Sequence, residues 1–147
     1  MDTELEPSGE ELDAWRGLLR VHARLTRAMS AELEDKYRIT LSEYEVMLEV
    51  VDSELGSVRL NELAERAQLT VSGLSRLVDR LERRGLVERC STHTDGRGRV
   101  LTMTEAGKAL FDEVRRVHVA SVRELFLCHL GEPERKQLTA CWSRILT

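Results

Sequence analysis

The chain has 147 residues, of which 41% are hydrophobic and 33% charged, which suits one compact domain or two small lobes that share a core. No apolar run approaches the roughly 20 residues that span a bilayer, and the acidic residues 1–11 argue against a secretory signal or a basic transit peptide. We therefore expect a cytoplasmic protein without membrane contact. The net charge of −4 at first disfavours nucleic acid as a partner.

The first predicted helix begins at Ser8, where Ser8 and Glu11 form a capping box. Apolar residues then recur at helical spacing from Leu12 to Leu33. A helix that reaches Lys36 would be roughly 40 Å long. So long an apolar face is hard to bury within one small chain, and it predicts a partner surface.

The second predicted helix begins after Thr40. Thr40 and Glu43 form another capping box, and Ile39 is placed to pack on Tyr44 as a hydrophobic staple. The helix is predicted to end near Glu54. Its expected apolar face consists of Tyr44, Met47, Leu48 and Val51.

The next two predicted helices are separated by a tight turn. The first covers residues 61–67 (NELAERA), and Thr70 caps a second that runs to Arg84, with Gly85 placed to end it. A short helix, a tight turn and a second helix with a polar N-terminal half are typical of a helix-turn-helix. The apolar stripe of the second helix is predicted to be Val71, Leu74, Leu77, Val78 and Leu81.

A hairpin and two further helices complete the prediction. Strands are expected at 87–91 and 99–103, around a turn rich in Gly and Asp. Thr104 begins a long helix that Gly131 stops, and Pro133 lies in the first turn of a last helix. The terminal helices carry more apolar surface than they can hide alone, so we expect them to pack against a second copy of the chain.

The expected fold class is therefore mainly α with a small β-hairpin wing. The winged helix-turn-helix is predicted at 38–104, and residues 1–37 with 105–147 are predicted to form a helical dimerisation region. Residues 57–103 contain nine arginines and six acidic residues, so this segment carries +3 while the remainder carries −7. Arginine suits phosphates and guanine edges because its fork donates two parallel hydrogen bonds, and the local charge therefore favours DNA.

A family pattern is recognisable from Leu74 to Gly107. The segments LSRLVDRLERRGLVER and DGRGRVLTMTEAG closely resemble the MarR-type winged helix-turn-helix regulators of bacteria. Asp95 and Arg97 match the acid–arginine pair of the family's wing. Met103 and Thr104 match a Leu-Thr step, with Met in place of the usual Leu, and Gly107 matches the glycine that opens the next helix.

The resemblance implies a homodimer held by its N- and C-terminal helices. Such proteins bind pseudo-palindromic operators in double-stranded DNA, usually as repressors. Many release DNA when they bind a small phenolic effector or when a thiol is oxidised. An enzymatic activity and a cofactor are not expected, since no phosphate-binding loop or nucleophile motif is recognisable.

The helix at 70–84 is predicted to lie in the major groove with its N-terminus toward the bases. Arg76 is the candidate for a guanine contact, with a phosphate contact as the equal alternative. Arg80 is expected to meet the DNA backbone or Asp79. Thr70 caps the helix and is a candidate phosphate contact. The other candidate DNA-binding residues of this helix are Ser72, Gly73 and Ser75.

In the wing, Arg97 is predicted to enter the minor groove and Asp95 to orient it. The alternative is an ordinary turn with a solvated Arg97; the family resemblance favours the DNA contact. Arg99 and His93 are candidate phosphate contacts.

The resemblance also implies a ligand pocket between the dimer helices and the DNA-binding lobe. Trp15 would stack on an aromatic ligand and Arg16 would hold its carboxylate. The alternative, that these apolar side chains only form core, is the stronger one. The candidate ligand-binding residues are Trp15, Arg16, Leu19, His22, Tyr44 and Met47.

The three cysteines, Cys90, Cys128 and Cys141, form no CxxC pair and are interpreted as reduced thiols. Cys90 beside the wing leaves a redox-gated regulator as one alternative function. A winged-helix module that binds proteins instead of DNA is another. No metal site is predicted, because the histidines lack a neighbouring carboxylate cluster.

Overall fold

The structure, a computed structural model, describes residues 6–67, 69–91 and 99–147. The predicted helices and strands occur in the predicted order, with one further short strand, and the expected mainly helical class with a small β-structure is confirmed. A 3₁₀ turn at Leu127–His129 precedes the last helix. The elements are α1 (Gly9–Tyr37), α2 (Leu41–Val51), β1 (Ser57–Arg59), α3 (Leu60–Arg66), α4 (Val71–Arg83), β2 (Val87–Ser91), β3 (Arg99–Met103), α5 (Glu105–Leu125) and α6 (Glu132–Ile145).

The chain divides into two compact units. One consists of Met1–Glu32 with Ala120–Thr147, and the other of Leu33–Val119. The unit boundaries fall inside α1 and α5, whereas the predicted boundaries fall at or near the ends of helices. The predicted division concerns which part binds DNA and which part dimerises, and it stays a prediction.

The unit Leu33–Val119 contains the main apolar core. Side chains from α2, α3, α4, the sheet and the first half of α5 meet there, with Phe111 as the largest fully buried one. Helix α2 is buried over a broader face than predicted, because Val46 and Val50 are fully buried beside Met47. Val51, expected on that face, is instead exposed, since it ends the helix.

A three-stranded antiparallel sheet borders this core, in the order β1-β3-β2. The bounds of β2 and β3 agree with the sequence prediction. Strand β1 was not predicted; it pairs with β3 in a register that sets Val58 opposite Leu101, and both are buried. The central strand β3 is thus held on both edges.

The described residues of the unit Met1–Glu32 with Ala120–Thr147 are mostly helical. Ser8 and Glu11 form the predicted capping box: the Glu11 backbone N–H donates to Ser8 Oγ at 3.2 Å, and that of Ser8 to Glu11 Oε2 at 2.7 Å. Pro133 lies in the first turn of α6, as predicted. Large apolar side chains of this unit are exposed, namely Trp15, Leu18, Leu19, Val21, Trp142, Ile145 and Leu146. Within the described ranges, no helix is both long and apolar enough to cross a membrane.

Candidate nucleic-acid interface

Helix α4 begins with the cap that the sequence predicts. Thr70 is the N-cap residue, and its Oγ1 accepts a hydrogen bond from the Gly73 backbone N–H at 3.0 Å. A Cβ at position 73 would lie 3.0 Å from the same Oγ1, so glycine gives the cap its room. Gly85 follows the helix at φ +70°, a conformation that favours glycine, and ends it as predicted.

The first two turns of α4 present a polar, exposed surface. Ser72, Ser75 and Arg76 are all exposed, as a helix that reads DNA requires. Val71 was predicted on the apolar stripe but is 64% exposed. Val71 is the first residue of α4. It lies on the same face as the apolar stripe, but the buried part of that stripe begins only at Leu74.

Within the chain, Arg80 binds Glu43 and not Asp79, whereas its expected contact with the DNA backbone stays a prediction. Its Nε lies 3.0 Å from Glu43 Oε1, and the carboxylate side chain of Glu43 is only 4% exposed. The expected partner Asp79 binds Arg89 instead. Glu43 also accepts a hydrogen bond from the Thr40 backbone N–H at 2.8 Å, which completes the predicted capping box of α2. One buried carboxylate therefore caps α2 and fixes a side chain of α4.

Arg84 ties the end of α4 to the turn between α1 and α2. Its guanidinium donates to the carbonyl oxygens of Arg38 at 2.5 Å and Tyr37 at 3.1 Å. Arg38 has a φ of +57°, so it is the residue that turns the chain between the two helices.

Arginines line a groove of about 550 Å³ beside this turn. The Arg80 side chain is half-exposed there despite its ion pair with Glu43, and Arg83 donates through Nε to the Asp79 carbonyl oxygen at 3.2 Å. Four arginines and two glutamates give the lining a positive balance. The lining residues are Glu34, Arg38, Thr40, Glu43, Arg80, Arg83 and Arg84.

Arg89 joins β2 to α4. Its Nη2 lies 2.6 Å from Asp79 Oδ1, and its Nη1 binds Glu82 Oε2. Burial alone would lower the pKa of Arg89, but the hydrogen bonds with Asp79 and Glu82 outweigh it and raise that pKa. No spacing in the sequence indicated this cluster, because its members lie on two elements.

The start of α5 is packed against the end of α4. Thr104 Oγ1 donates to the Gly85 carbonyl oxygen at 2.6 Å and accepts from the Gly107 backbone N–H at 3.0 Å. A Cβ at position 107 would lie 1.9 Å from the Leu86 carbonyl oxygen. The glycine of the family pattern is therefore required by a close approach of two backbones.

Of the candidate DNA contacts in the wing, the structure describes only Arg99. Asp95 and Arg97, like His93, lie outside the described residues. Arg99 begins β3, pairs with Ser91 and is exposed, so its side chain is accessible to a phosphate. The DNA contacts of all four stay predictions.

The ligand-binding candidates are divided between the two units. Trp15, Arg16, Leu19 and His22 are exposed on α1, and Arg16 lies 3.9 Å from Asp13. Met47 is buried in the core of the unit Leu33–Val119. The ligand role of these four residues and of Met47 stays a prediction.

Tyr44, the sixth ligand candidate, is also a core residue. Its ring stacks on Phe111 at 5.6 Å between centroids and lies 4.6 Å from the ring of His118. Burial raises the pKa of Tyr44; Arg115 acts against this and Asp52 adds to it. The stacking supports the interpretation that Tyr44 forms core, while its ligand role stays a prediction.

The cysteines are free in the structure. Cys90 is exposed on β2, with its Sγ 3.7 Å from Thr102 Oγ1, and redox control through it stays a hypothesis. In the part of the chain that the structure describes, no three His, Cys, Asp or Glu side chains are grouped to hold a metal ion.

Similarity to known proteins extends over almost the whole chain. A model of the MarR family matches residues 39–98. The fold is similar to AbsC, a MarR family transcriptional regulator from Streptomyces coelicolor, with 30% identity over 96% of this chain and 95% of that one, and a TM-score of 0.90.

Two further similar proteins are also transcriptional regulators. Sco3205, a MarR family transcriptional regulator from Streptomyces coelicolor solved in complex with DNA, has 26% identity over 96% of this chain and 92% of its own, and a TM-score of 0.90. YfiV, an uncharacterized HTH-type transcriptional regulator of Bacillus subtilis, is 28% identical over 131 residues, which cover 88% of this chain and 78% of that protein.

Proposed function

This chain belongs to the MarR family of DNA-binding transcriptional regulators, a non-enzymatic family, and from this we propose that it is a homodimeric repressor of a pseudo-palindromic operator. The observation that carries the proposal is the capped, outward-facing start of α4. Its polar residues are exposed, while its opposite face is buried through Leu74, Val78 and Leu81. Such a helix is fixed to the protein along one side and free to enter a groove along the other.

In the major groove, the first turns of α4 supply the contacts with bases. Arg76 donates to guanine or to a phosphate, and Ser72 and Ser75 bond base edges. Val71 packs on a thymine methyl. Gly73 keeps the backbone close to the DNA, and Thr70 donates its hydroxyl hydrogen to a phosphate while its oxygen caps the helix.

The flanking contacts come from the wing and the arginines behind α4. Arg97 enters the minor groove with Asp95 as its orienting partner, and Arg99 meets a phosphate. Arg80 reaches a phosphate with the exposed half of its side chain while Glu43 holds its Nε.

A second copy of the chain supplies the second DNA-reading helix. The exposed apolar side chains of α1 and α6, such as Trp15 and Ile145, are the surface that we propose it covers. The two α4 helices would then read half-sites about one DNA turn (~34 Å) apart. Bacterial operators lie in the cytoplasm, and we propose that location for the protein.

Release of the operator by a small phenolic or aromatic effector is the second part of the proposal. The exposed side chains of Trp15, Arg16, Leu19 and His22 are available to such a ligand. Tyr44 and Met47 are the ligand candidates of the unit Leu33–Val119, where both are buried.

The experiment that tests the function is selection of DNA ligands by the full chain from a random duplex pool, followed by gel shift in a salt series. We expect a pseudo-palindromic site. Arg97→Ala should weaken binding and reduce its salt dependence, because a cation near the phosphates is lost, while leaving the dimer intact. Lys136→Ala, on exposed α6, is the control and should bind like the original chain.

Two outcomes contradict the proposal. Failure to enrich any sequence would favour a winged-helix module that binds protein. Unchanged affinity of the Arg97→Ala variant would remove Arg97 from the mechanism.

A further inference from the structure

Arg89 lies on β2, but its side chain contacts α4. Its side chain binds Asp79 and Glu82 and donates from Nη2 to the Ser75 carbonyl oxygen at 3.4 Å. Its backbone N–H donates to Glu82 Oε1 at 3.3 Å. These partners extend over two turns of α4, so the guanidinium binds the helix along its length and not at one point.

The Arg89 cluster differs from the ordinary surface ion pairs of this chain. The Arg89 side chain is only 13% exposed, whereas Arg66, which also meets two carboxylates, is 47% exposed. A charge withdrawn from water and held by several hydrogen bonds has one favourable geometry, while exposed pairs contribute little. The position of β2 along α4 is therefore fixed at this residue.

The cluster also changes the charge that α4 offers to DNA. Asp79 and Glu82 lie on the same helix as Arg76, and both are substantially exposed. Two carboxylates near a phosphate backbone would repel it. The guanidinium of Arg89 lies against both and offsets that repulsion.

Ser75 and Arg76 lie at one end of this cluster, and Ser91, two residues after Arg89, is the last residue of β2. We infer that Arg89 is a positioning residue for DNA recognition. It sets the spacing between the bases met by α4 and those met by the segment after Ser91. The inference rests on the proposed function, in which both parts contact DNA.

The test compares footprints of full-length variants on the selected operator. Dimethyl sulfate reports guanine N7 in the major groove, and hydroxyl radicals report the sugar edges of the minor groove. Arg89→Gln should bind about tenfold more weakly, the size of one lost base contact. It should lose protection at the outer minor-groove edges and keep guanine protection at the positions met by α4.

Three further variants make the result specific. Arg66→Gln removes a doubly paired arginine elsewhere and should leave the footprint unchanged. The pair Arg89→Glu with Glu82→Arg exchanges the charges across the same contact and should restore part of the edge protection lost in Arg89→Glu alone. Asp79→Asn removes one carboxylate partner of Arg89 and should reduce protection of the minor-groove edges in part. If Arg89→Gln does not fold, the footprint of Asp79→Asn tests the inference in its place.

The inference would be overturned if a folded Arg89→Gln variant kept the edge protection of the original chain. If Arg89→Gln does not fold, the same result in Asp79→Asn would overturn it. The Arg97→Ala variant separates this from a failure of the proposed function. If Arg97→Ala loses edge protection and Arg89→Gln keeps it, only the role of Arg89 is wrong. If neither loses it, the proposed wing contact is wrong and the inference falls with it.

Discussion

Single residues of this chain often serve two elements at once. Glu43 caps α2 and binds Arg80 of α4, Arg89 bridges β2 and α4, and Gly107 lets α5 meet the backbone of Leu86. In each case the partner lies on a different element or segment. A substitution there is therefore expected to disturb the relation between elements more than the element that carries it.

Gly107→Ala should lower the free energy of unfolding by about 3 kcal/mol, the upper range for overpacking. Its Cβ would overlap the Leu86 carbonyl oxygen, and neither backbone can shift without moving the Thr104–Gly85 hydrogen bond. Urea denaturation measures the change. Gly9→Ala, where a Cβ meets open space, should alter stability by no more than about 0.5 kcal/mol. Equal midpoints for the two variants would contradict the prediction.

His118 should make stability depend on pH. Burial lowers its pKa, and within the described part of the chain its buried Nδ1 has no hydrogen-bond partner. The unfolded chain therefore binds the proton first, and stability is lost as pH falls through the unfolded pKa of about 6.5, until the folded pKa is passed.

The variant His118→Phe keeps a ring against Tyr44 and removes the titration. The loss of unfolding free energy between about pH 7.5 and about pH 5.5 should be smaller in this variant than in the original chain. His129→Phe, at an exposed position, is the matched control and should keep the original slope. A slope unaltered by His118→Phe would show that another group titrates.

At the scale of elements, α4 is held from several sides. Thr70 fixes its first turn, Arg89 its middle, and Arg80 and Arg84 its last turns. The proposed reading surface is thus carried by a helix that is capped at its start and bound to other elements at its middle and its end. The Thr70 cap favours formation of the helix, whereas the arginine contacts fix its position against other elements.

Thr70→Ala should destabilise the protein by about 1 kcal/mol, the usual cost of a lost N-cap, because the Gly73 N–H loses its acceptor. Thr70→Ser retains the hydroxyl and should lie within a few tenths of a kcal/mol of the original. Chemical denaturation with helical circular dichroism measures both. If the alanine and serine variants unfold together, the cap contributes nothing.

Local sequence signals predicted the elements well where neighbouring residues decide them. Thr70 and Gly85 bracket α4, and the two strands of the hairpin agree to the residue. Strand β1 was missed because three residues carry no period, and its pairing with β3 joins distant positions. Val71 was misplaced because helical spacing does not tell where the core beneath a helix ends.

The candidate site was predictable to a similar extent. Exposure of Ser72, Ser75 and Arg76 follows from the helical period, as expected. Of the two alternatives for Arg80, Asp79 was the wrong partner, since the ion pair is made with Glu43, 37 positions away along the chain, while the contact with the DNA backbone stays a prediction. No sequence spacing identifies such a pair, because the fold alone brings a buried carboxylate to that arginine.

At the scale of the whole molecule, exposed apolar side chains are unequally distributed. Among the described residues, seven of the large ones lie in the unit Met1–Glu32 with Ala120–Thr147, and four, such as Leu55, lie in the other, larger unit. Water-exposed Trp, Leu and Ile on the same unit favour association. The proposed dimer accounts for that distribution.

The double variant Leu19→Glu with Ile145→Glu should therefore be a monomer, whereas the original chain should have about twice the monomer mass of 16.8 kDa by light scattering. The variant should also lose most of its operator affinity, since one reading helix remains per particle. Leu55→Glu is the matched control, because Leu55 is exposed on the unit Leu33–Val119, and it should stay dimeric. A dimeric double variant would place the interface elsewhere.

The bond between Arg84 and the turn after α1 has a consequence for how such a sequence can drift. Its acceptors are the main-chain carbonyls of Tyr37 and Arg38, and every amino acid carries a carbonyl. Substitutions at position 38 that accept its positive φ, above all Gly or Asn, therefore leave the attachment in place. Position 84 has no such freedom, because only a long, forked donor reaches both oxygens. A saturation scan should therefore find position 38 more tolerant of substitution than position 84. The turn can then vary in sequence while Arg84 still binds its carbonyl oxygens.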